Sequence, residues 1–343
     1  MERRALITGL AGQQLSDQER EFLAHVRPAG IILFARNLGN HDQIRRLVGD
    51  ARTAIGAKQT LVLIDQEGGR VQRLRPPLGR ALPPASAFAA LFADDAGEAC
   101  KAANSVARLM AHDLTALGIN TDCAPVCDLP VKGAHEIIGD RAYGCDVQQV
   151  VGLARSVADG LMAGGVLPVI KHIPGHGRAM ADSHLSLPTV DTPLGTLIET
   201  DFATFRALSG LPAAMTAHVV FSDIDSERPA STSTKVTAEI IRGQIGFDGL
   251  LMSDDLGMKA LTGPMRERAW GVIAAGSDIA LHCNGDLGEM QEAAEAVPVL
   301  SGEAYRRFTE ALAVTRQCDQ FDLEGAEFAL EQVLTHWKAH ESV

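Results

Sequence analysis

Two adjacent carboxylates end an apolar run late in the chain, a position from which they could do chemistry. Asp254 and Asp255 follow residues 250–252 and Ser253. A carboxylate at the end of a buried strand can attack the anomeric carbon of a sugar or hold an ion. Asp255 can equally be interpreted as the N-cap of a following helix. Because adjacent strand residues point to opposite faces, we expect only one of the two carboxylates to face a shared site.

A second polar group combines a lysine, two histidines and an Asp-x-His pair. The segment KHIPGHG occupies residues 171–177, and Asp182 and His184 follow it. An aspartate two positions from a histidine can accept its Nδ1 proton and leave Nε2 free for proton transfer. The alternative is an exposed loop histidine with a chance acidic neighbour. His172, His176 and His184 could also bind a metal, but the H-E-x-x-H spacing is absent, so we expect no metal site.

A third group surrounds the glycine turn that follows Glu67. Asp65 and Arg73 flank this turn, and a paired carboxylate and guanidinium would suit the vicinal hydroxyls of a sugar. The same two residues could instead form a structural ion pair at the rim of a barrel. Arg141, in the segment IGDRAY, has the same two interpretations. Aromatic residues make up only 4% of the chain, which argues against a long stacking platform and favours a short substrate.

The polar groups follow apolar runs that predict the strands of a barrel. Helical segments separate these runs; Ser16 and Glu19 form a capping box, and the amphipathic residues 150–163 stop at Gly164. The eight candidate strands are residues 5–10, 30–34, 61–64, 119–121, 167–170, 213–216, 250–252 and 278–281. Eight alternations with strands apolar enough for burial on both faces predict a closed parallel barrel, whose active site forms at the carboxyl ends of the strands.

Composition limits the classes of partner and compartment. The chain has 343 residues, 46% of them hydrophobic, which predicts one domain with a large core. A formal net charge of −12 argues against nucleic-acid or anionic-membrane binding and favours a small neutral or polar ligand. The apolar run at residues 5–10 is too short for a signal-peptide core or a membrane span, so we expect a cytoplasmic protein. The sequence shows no obvious interface signal, so we expect a monomer. The six cysteines do not complete a zinc motif, and we expect reduced thiols.

Taken together, five motifs resemble those of glycoside hydrolase family 3, and within it the single-domain bacterial β-N-acetylhexosaminidases. The motifs are IILFARN at residues 31–37, DQEGGRVQR at 65–73, KHIPGHG at 171–177, DSH at 182–184 and SDDL at 253–256. The resemblance implies an α/β fold, a single (β/α)₈ TIM barrel over residues 1–343, that works without a cofactor. It also implies catalytic and sugar-binding residues. Asp254 would be the nucleophile, and His184 the general acid/base oriented by Asp182. Sugar contacts would come from Asp65, Arg73, Arg141, Lys171 and His172.

The same resemblance implies a retaining β-N-acetylglucosaminidase that removes terminal non-reducing GlcNAc. A suitable substrate would be a GlcNAc-anhydromuropeptide from peptidoglycan recycling in the cytosol. Gly257 stands where the family pattern often has serine, and we expect this to affect loop packing only. We expect no second α/β domain of the kind that supplies a glutamate acid/base in the larger β-glucosidases of the family. The alternatives are a family 3 β-glucosidase, an N-acetylglucosaminide phosphorylase, a metal-dependent TIM-barrel hydrolase that uses the three histidines, and an inactive sugar-binding barrel.

Overall fold

One parallel sheet with helices around it forms the frame of the protein. A computed structural model describes residues 2–57, 59–133, 135–183, 185–316 and 318–341. The strands in these ranges are β1 Arg4–Gly9, β2 Pro28–Leu33, β3 Leu61–Ile64, β4 Gln66–Gly68, β5 Val71–Gln72, β6 Thr121–Asp122, β7 Leu167–Pro168, β8 Ile170–Ile173, β9 Thr189–Val190, β10 Ala213–Thr216, β11 Val220–Phe221, β12 Leu250–Asp255 and β13 Ile279–His282. Nine of them form the main sheet in the order β7-β6-β3-β2-β1-β13-β12-β10-β8.

The two ends of this sheet order are consecutive in the chain, and this closes the barrel. Only Val169 separates β7 from β8, and its N–H donates to Asp122 O at 2.9 Å. The N–H of Cys127 donates to Lys171 O at 2.7 Å, which continues the pairing beside β8. The predicted parallel barrel is therefore confirmed, although several strand bounds differ from the prediction, for example β6 at Thr121–Asp122 against the predicted residues 119–121. The predicted fifth strand, residues 167–170, is broken at Val169 and its second part extends to Ile173, because β7 pairs with β6 whereas β8 pairs with β10.

The helices cover the outside of the sheet, and two of the capping signals predicted from the sequence lie at observed helix ends. Ser16 caps the first helix and exchanges hydrogen bonds with Glu19, as the capping box predicts. The helix that contains residues 150–163 has Gly164 as its C-cap. The helices are α1 Asp17–Val26, α2 His41–Ile55, α3 Ala85–Asp94, α4 Ala96–Ala116, α5 Val147–Ala163, α6 Leu194–Glu199, α7 Asp201–Ala207, α8 Met265–Ala274, α9 Leu287–Ala296, α10 Gly302–Val314 and α11 Leu323–Glu341, with a π-helix at Val236–Gln244.

The strands carry the hydrophobic core, and their carboxyl ends carry the polar residues. Every residue of β2 and β3 is buried, as expected for parallel strands covered on both faces. The antiparallel hairpin of β4 and β5 follows β3 directly and holds Glu67 over the barrel mouth. Its turn requires glycine at position 68, because φ is +99° and a Cβ would approach Pro83 O to 2.2 Å.

Two further features bear on the sequence predictions. Within the described ranges, none of the helices combines the length and the apolar character that a bilayer crossing requires. All six cysteines are free thiols. Cys123, Cys127 and Cys283 are buried, whereas Cys145 and Cys318 are exposed.

Candidate active site

A cavity of about 480 Å³ opens at the carboxyl ends of the barrel strands. Loops after β2, β3, β8, β12 and β13 contribute to its wall. The cavity brings together six of the residues singled out from the sequence, which are Asp65, Arg73, Arg141, Lys171, His172 and Asp254. These residues are up to 189 positions apart along the chain, counted as 254 minus 65, so the barrel alone brings them to one site.

Lys171 lies at the base of the cavity and bridges two carboxylates. Its Nζ is 3.0 Å from Asp65 Oδ1 and 2.6 Å from Glu67 Oε1, and only 3% of its side chain is exposed. On its other side Asp65 accepts from Arg73 Nη2 at 2.8 Å. Burial alone would raise the pKa of Asp65, but Lys171 and Arg73 hold that pKa well below its usual range. The cluster therefore stays ionised, and it presents fixed charges and donors to a polar ligand.

Glu67 is a member of this cluster that the sequence reasoning did not single out. Its two carboxylate oxygens each lie 2.8 Å from a nitrogen of Arg141, Nε and Nη2, in a two-point ion pair. Burial raises the pKa of Glu67, but Lys171 and Arg141 together lower it below the ordinary value. The signal available in the sequence was the position of Glu67, two residues after Asp65, which in a short strand places both side chains on one face.

Asp254 and Asp255 both line the cavity, which corrects the expectation that only one of them would. The register between β12 and β13 shifts here, since Met252 pairs with Ile279 and Asp255 with Leu281. Three residues of β12 thus span two of β13, and this bulge interrupts the alternation of faces. The helix-cap interpretation of Asp255 is also wrong, since the next helix begins only at Met265.

The two carboxylates have different partners. Asp255 Oδ1 accepts from the N–H groups of Cys283 at 2.9 Å and Gly257 at 3.0 Å, and so ties two loops together. Asp254 accepts a hydrogen bond from the N–H of Asp255 at 2.8 Å. Burial raises the pKa of Asp254, but His172, His218, this N–H and Lys171 lower it below the ordinary value. Asp254 is therefore an ionised carboxylate facing the cavity, which suits a nucleophile.

The KHIPGHG segment forms β8 and the loop after it, and a buried carboxylate organises it. Asp128 Oδ2 lies 2.7 Å from His172 Nδ1, and its Oδ1 accepts from the N–H groups of His172 at 3.2 Å and His176 at 2.7 Å. The second histidine ring packs 5.5 Å from the first, and its Nε2 lies 3.1 Å from Ser183 Oγ. Burial and the neighbouring His172 lower the pKa of His176 to about 4, so this ring is neutral at neutral pH.

Of the predicted acid/base pair, the structure describes Asp182, which lies on the loop that follows β8. His184 lies outside the described residues. Asp182 is partly exposed, and its main-chain oxygen accepts from Leu185 N at 2.9 Å and Ser186 N at 3.0 Å in a tight turn. Ser183, between the two predicted residues, is buried and lines the cavity. The turn therefore adjoins the wall of the cavity.

The site's donors suit a polar ligand better than a metal ion. Among the described residues, no group of three or more His, Cys, Asp or Glu side chains is arranged to hold a metal. Of the candidate metal ligands, His172 and His176 are engaged with Asp128 and Ser183. The cluster can instead hold a sugar through directional hydrogen bonds while Asp254 approaches a reacting carbon.

Comparison with known proteins identifies the family of the chain and a relative within the curated proteins. Residues 5–313 match the model of the glycosyl hydrolase family 3 N terminal domain. The chain is 42% identical over 283 residues to a beta-hexosaminidase of Alkalilimnicola ehrlichii, which covers 81% of this chain and 80% of that protein.

Two solved structures share the fold. NagZ from Neisseria gonorrhoeae, in complex with N-trifluoroacetyl-D-glucosamine, superposes with a TM-score of 0.86 at 31% identity, over 98% of this chain and 99% of that one. A family 3 beta-N-acetylglucosaminidase from Paenibacillus sp. FPU-7 superposes with a TM-score of 0.85 at 29% identity, over 96% of this chain and 66% of that one.

Proposed function

The chain belongs to glycosyl hydrolase family 3, and on that premise we propose that it is a retaining β-N-acetylglucosaminidase that uses Asp254 as its nucleophile. The observation that carries this proposal is the ionised Asp254 in a cavity whose wall holds Asp65, Arg73, Arg141, Lys171 and His172. The similarity to proteins named beta-hexosaminidase, and to one solved with an N-acylated glucosamine, supports the sugar class.

The reaction proceeds in two steps. In the first, Asp254 attacks the anomeric carbon, the bond to the leaving oxygen breaks, and His184 gives its proton to that oxygen. In the second, His184 takes a proton from water, the water oxygen attacks the same carbon, and Asp254 is released. The sugar leaves with its original configuration because two displacements occur. Asp182 orients His184. A histidine suits both roles at neutral pH because its reference pKa is about 6.5.

The charged cluster positions the sugar during both steps. Lys171 and Arg73 are fixed by Asp65, and Arg141 is fixed by Glu67, so their remaining N–H groups are directed by the protein before a ligand arrives. Such preorganised donors lose little conformational entropy when they bind hydroxyl groups. We assign the contacts with the sugar hydroxyls to Asp65, Arg73, Arg141, Lys171 and His172.

For the cellular substrate we propose GlcNAc-anhydromuropeptides, cleaved in the cytosol during peptidoglycan recycling by a monomeric enzyme. The six free cysteines are consistent with a reducing compartment. Kinetics on the disaccharide with and without its stem peptide test the substrate. Light scattering coupled to size-exclusion chromatography tests the monomer.

One experiment tests the activity and its nucleophile together. Release of the aryl group from aryl β-N-acetylglucosaminide and aryl β-glucoside is measured in parallel for the wild type, Asp254→Ala and Asp278→Asn. Asp278 is a matched control, because it is a buried aspartate that precedes β13, at the opposite end of the barrel. We expect turnover of the N-acetyl substrate by the wild type and the control, and a loss of at least about 10⁴-fold in Asp254→Ala.

The rescue of Asp254→Ala by azide extends the test to the mechanism. Azide takes the place of the carboxylate, forms a bond to the anomeric carbon and expels the aryl group, which yields an α-glycosyl azide. Free GlcNAc as the wild-type product in phosphate buffer excludes the phosphorylase alternative, whereas GlcNAc 1-phosphate would establish it. Equal turnover of the glucoside, or activity that survives Asp254→Ala, would contradict the proposal.

A further inference from the structure

Asp128 is a buried carboxylate whose partners connect it to the cavity although it does not line the cavity itself. Its side chain is fully enclosed, and its hydrogen bonds with described residues go to the segment at residues 171–177. One oxygen accepts two main-chain N–H groups, from His172 and His176. The other lies 2.7 Å from the imidazole Nδ1 of His172. The two oxygens thus have different partners: one binds the main chain of the loop, and the other contacts a side chain.

The contact with the imidazole determines which ring nitrogen is available to a ligand. Burial raises the pKa of Asp128, but its interactions with His172 and the hydrogen bond from the His176 N–H lower that pKa below the ordinary value, so the carboxylate is ionised. An ionised carboxylate only accepts hydrogen bonds, and His172 Nδ1 must therefore carry the proton. Nε2 is then the ring nitrogen available in the cavity that His172 lines.

The ring also lies where its charge state affects the carboxylate that reacts. Among the neighbours that lower the pKa of Asp254, His172 has the largest effect. An orienting carboxylate behind an imidazole favours one tautomer of the ring. Asp128 thus contacts His172 from the protein interior, and His172 in turn interacts electrostatically with Asp254.

We propose that Asp128 is a positioning residue for glycoside cleavage, which acts by fixing the tautomer and orientation of His172 beside the sugar and Asp254. This proposal rests on the proposed function for the reaction concerned, but its geometric part does not. It assigns a role to a residue 44 positions before its partner, outside the five motifs that indicated the family. If Asp128 served only to hold the loop, the oxygen that accepts the two N–H groups would suffice, and the contact with the imidazole would have no role.

The substitution Asp128→Asn separates these two roles. An asparagine oxygen can still accept from the N–H groups of His172 and His176, so the loop is retained. Its amide nitrogen, placed opposite Nδ1, is a donor, and it forces Nδ1 to become the acceptor and the proton to move to Nε2. We expect kcat/KM to fall roughly 100-fold, as for a misdirected contact at a reacting centre, with a melting temperature close to that of the wild type.

A double-mutant cycle with His172→Gln tests whether Asp128 acts through the imidazole. If it does, Asp128→Asn has almost no further effect on kcat/KM in the His172→Gln background, whereas independent roles would multiply. Asp278→Asn serves as the matched control and should leave kcat/KM unchanged. Equal factors for Asp128→Asn in both backgrounds would overturn the proposal.

A spectroscopic measurement gives an answer that does not depend on activity. The imidazole ¹⁵N resonances of His172, assigned by comparison with His172→Gln, report which nitrogen carries the proton. We expect a protonated Nδ1 in the wild type and an unprotonated Nδ1 in Asp128→Asn. A protonated Nδ1 in both proteins would overturn the proposal. An inactive wild type with the expected ¹⁵N pattern would instead contradict the proposed function and leave the positioning geometry intact.

Discussion

Glu67 and Arg141 meet in a two-point ion pair in the wall of the cavity, with both N–O distances at 2.8 Å. Both side chains are largely enclosed, with 7% and 10% exposed. The pair is therefore more than a rim contact, since it fixes the plane of a guanidinium that lines the site. Because Glu67 also contacts Lys171, this one carboxylate orients two of the cations that we assign to the sugar.

Removing the charge of Glu67 should reduce both sugar binding and stability. In Glu67→Gln, Arg141 and Lys171 lose an ionised partner in a buried setting, a change that typically costs about 3–5 kcal/mol. We expect an increase in KM of at least about tenfold, with a lower urea midpoint. Steady-state kinetics and urea unfolding check this. Glu289→Gln, whose more exposed carboxylate lies 3.0 Å from His282 Nε2, is the control, and equal effects in both variants would contradict the assignment.

Asp255→Asn should be far milder than Asp254→Asn, although the two residues are adjacent and line the same cavity. An asparagine oxygen at position 255 can still accept from Cys283 N and Gly257 N, so the loops that Asp255 ties remain in place. We expect a loss below about tenfold for Asp255→Asn and above about 10⁴-fold for Asp254→Asn. Aryl-glycoside kinetics decide this, and the reverse order would make Asp255 the nucleophile.

Protonation of Asp254 should reduce the activity of the wild type only at a pH below 3.8, the ordinary pKa of an aspartate. His172, His218 and Lys171 face this carboxylate, and with the Asp255 N–H they lower its pKa below the ordinary 3.8. Because a carboxylate with a lowered pKa stays ionised until more acid pH, the acid limb from Asp254 lies below that value. In His172→Gln the limb should move to higher pH. Profiles of kcat/KM between about pH 3 and pH 8 test this, and an unmoved limb would contradict it.

Asp122 should make the protein less stable as the pH rises. Burial raises its pKa to about 7, helped by Asp65 and Glu67 and opposed by the Gln66 N–H and Lys171. In the unfolded chain the carboxyl ionises near pH 3.8, so the folded state is progressively penalised from there up to about pH 7. Relative to the wild type, Asp122→Asn should therefore gain stability between these pH values.

The size of this change is on the order of a few kcal/mol in the free energy of unfolding. Urea unfolding of both proteins at about pH 5 and pH 8 measures it. Asp278→Asn, outside the charged cluster, is the control. A difference between Asp122→Asn and the wild type that stays constant with pH would contradict the prediction.

Chelators should leave the activity unchanged. The carboxylates at the base of the cavity are paired with Lys171, Arg73 and Arg141, and a metal ion would have to displace these cations. Turnover after dialysis against EDTA, and after addition of zinc, measures the dependence. A loss with EDTA that zinc restores would favour the metal-dependent alternative instead.

Much of the barrel could be predicted from the sequence because the signals are local. Runs such as residues 61–64 and 213–216 are apolar on both faces, and the structure gives β3 and β10 these bounds. The break at Val169 could not be predicted, because it depends on which neighbours β7 and β8 pair with. The bulge in β12 is likewise a property of the pairing between strands, and it invalidated the expectation for Asp254 and Asp255.

The convergence of the site residues was predictable where a polar residue follows an apolar run in the sequence, as Asp65, Lys171 and Asp254 do. Their convergence follows from the barrel, since all strands end at one rim. Glu67 and Asp128 were not predicted, because their partners Arg141 and His172 lie 74 and 44 positions away. The spacing of Glu67 from Asp65 indicates a shared face, but no local feature of the sequence identifies a partner at such a distance.

Because β7 and β8 lie on either side of Val169 and form the two ends of the sheet order, the site is complete only when the barrel has closed. Lys171 lies on β8, one end of the sheet order, whereas its partner Asp65 follows β3, and the two meet only when the sheet has closed on itself. A chain with all its helices formed but an open barrel would have no site at all. During refolding, ligand binding should therefore appear after the helical signal, because a barrel that has not closed cannot bind the sugar.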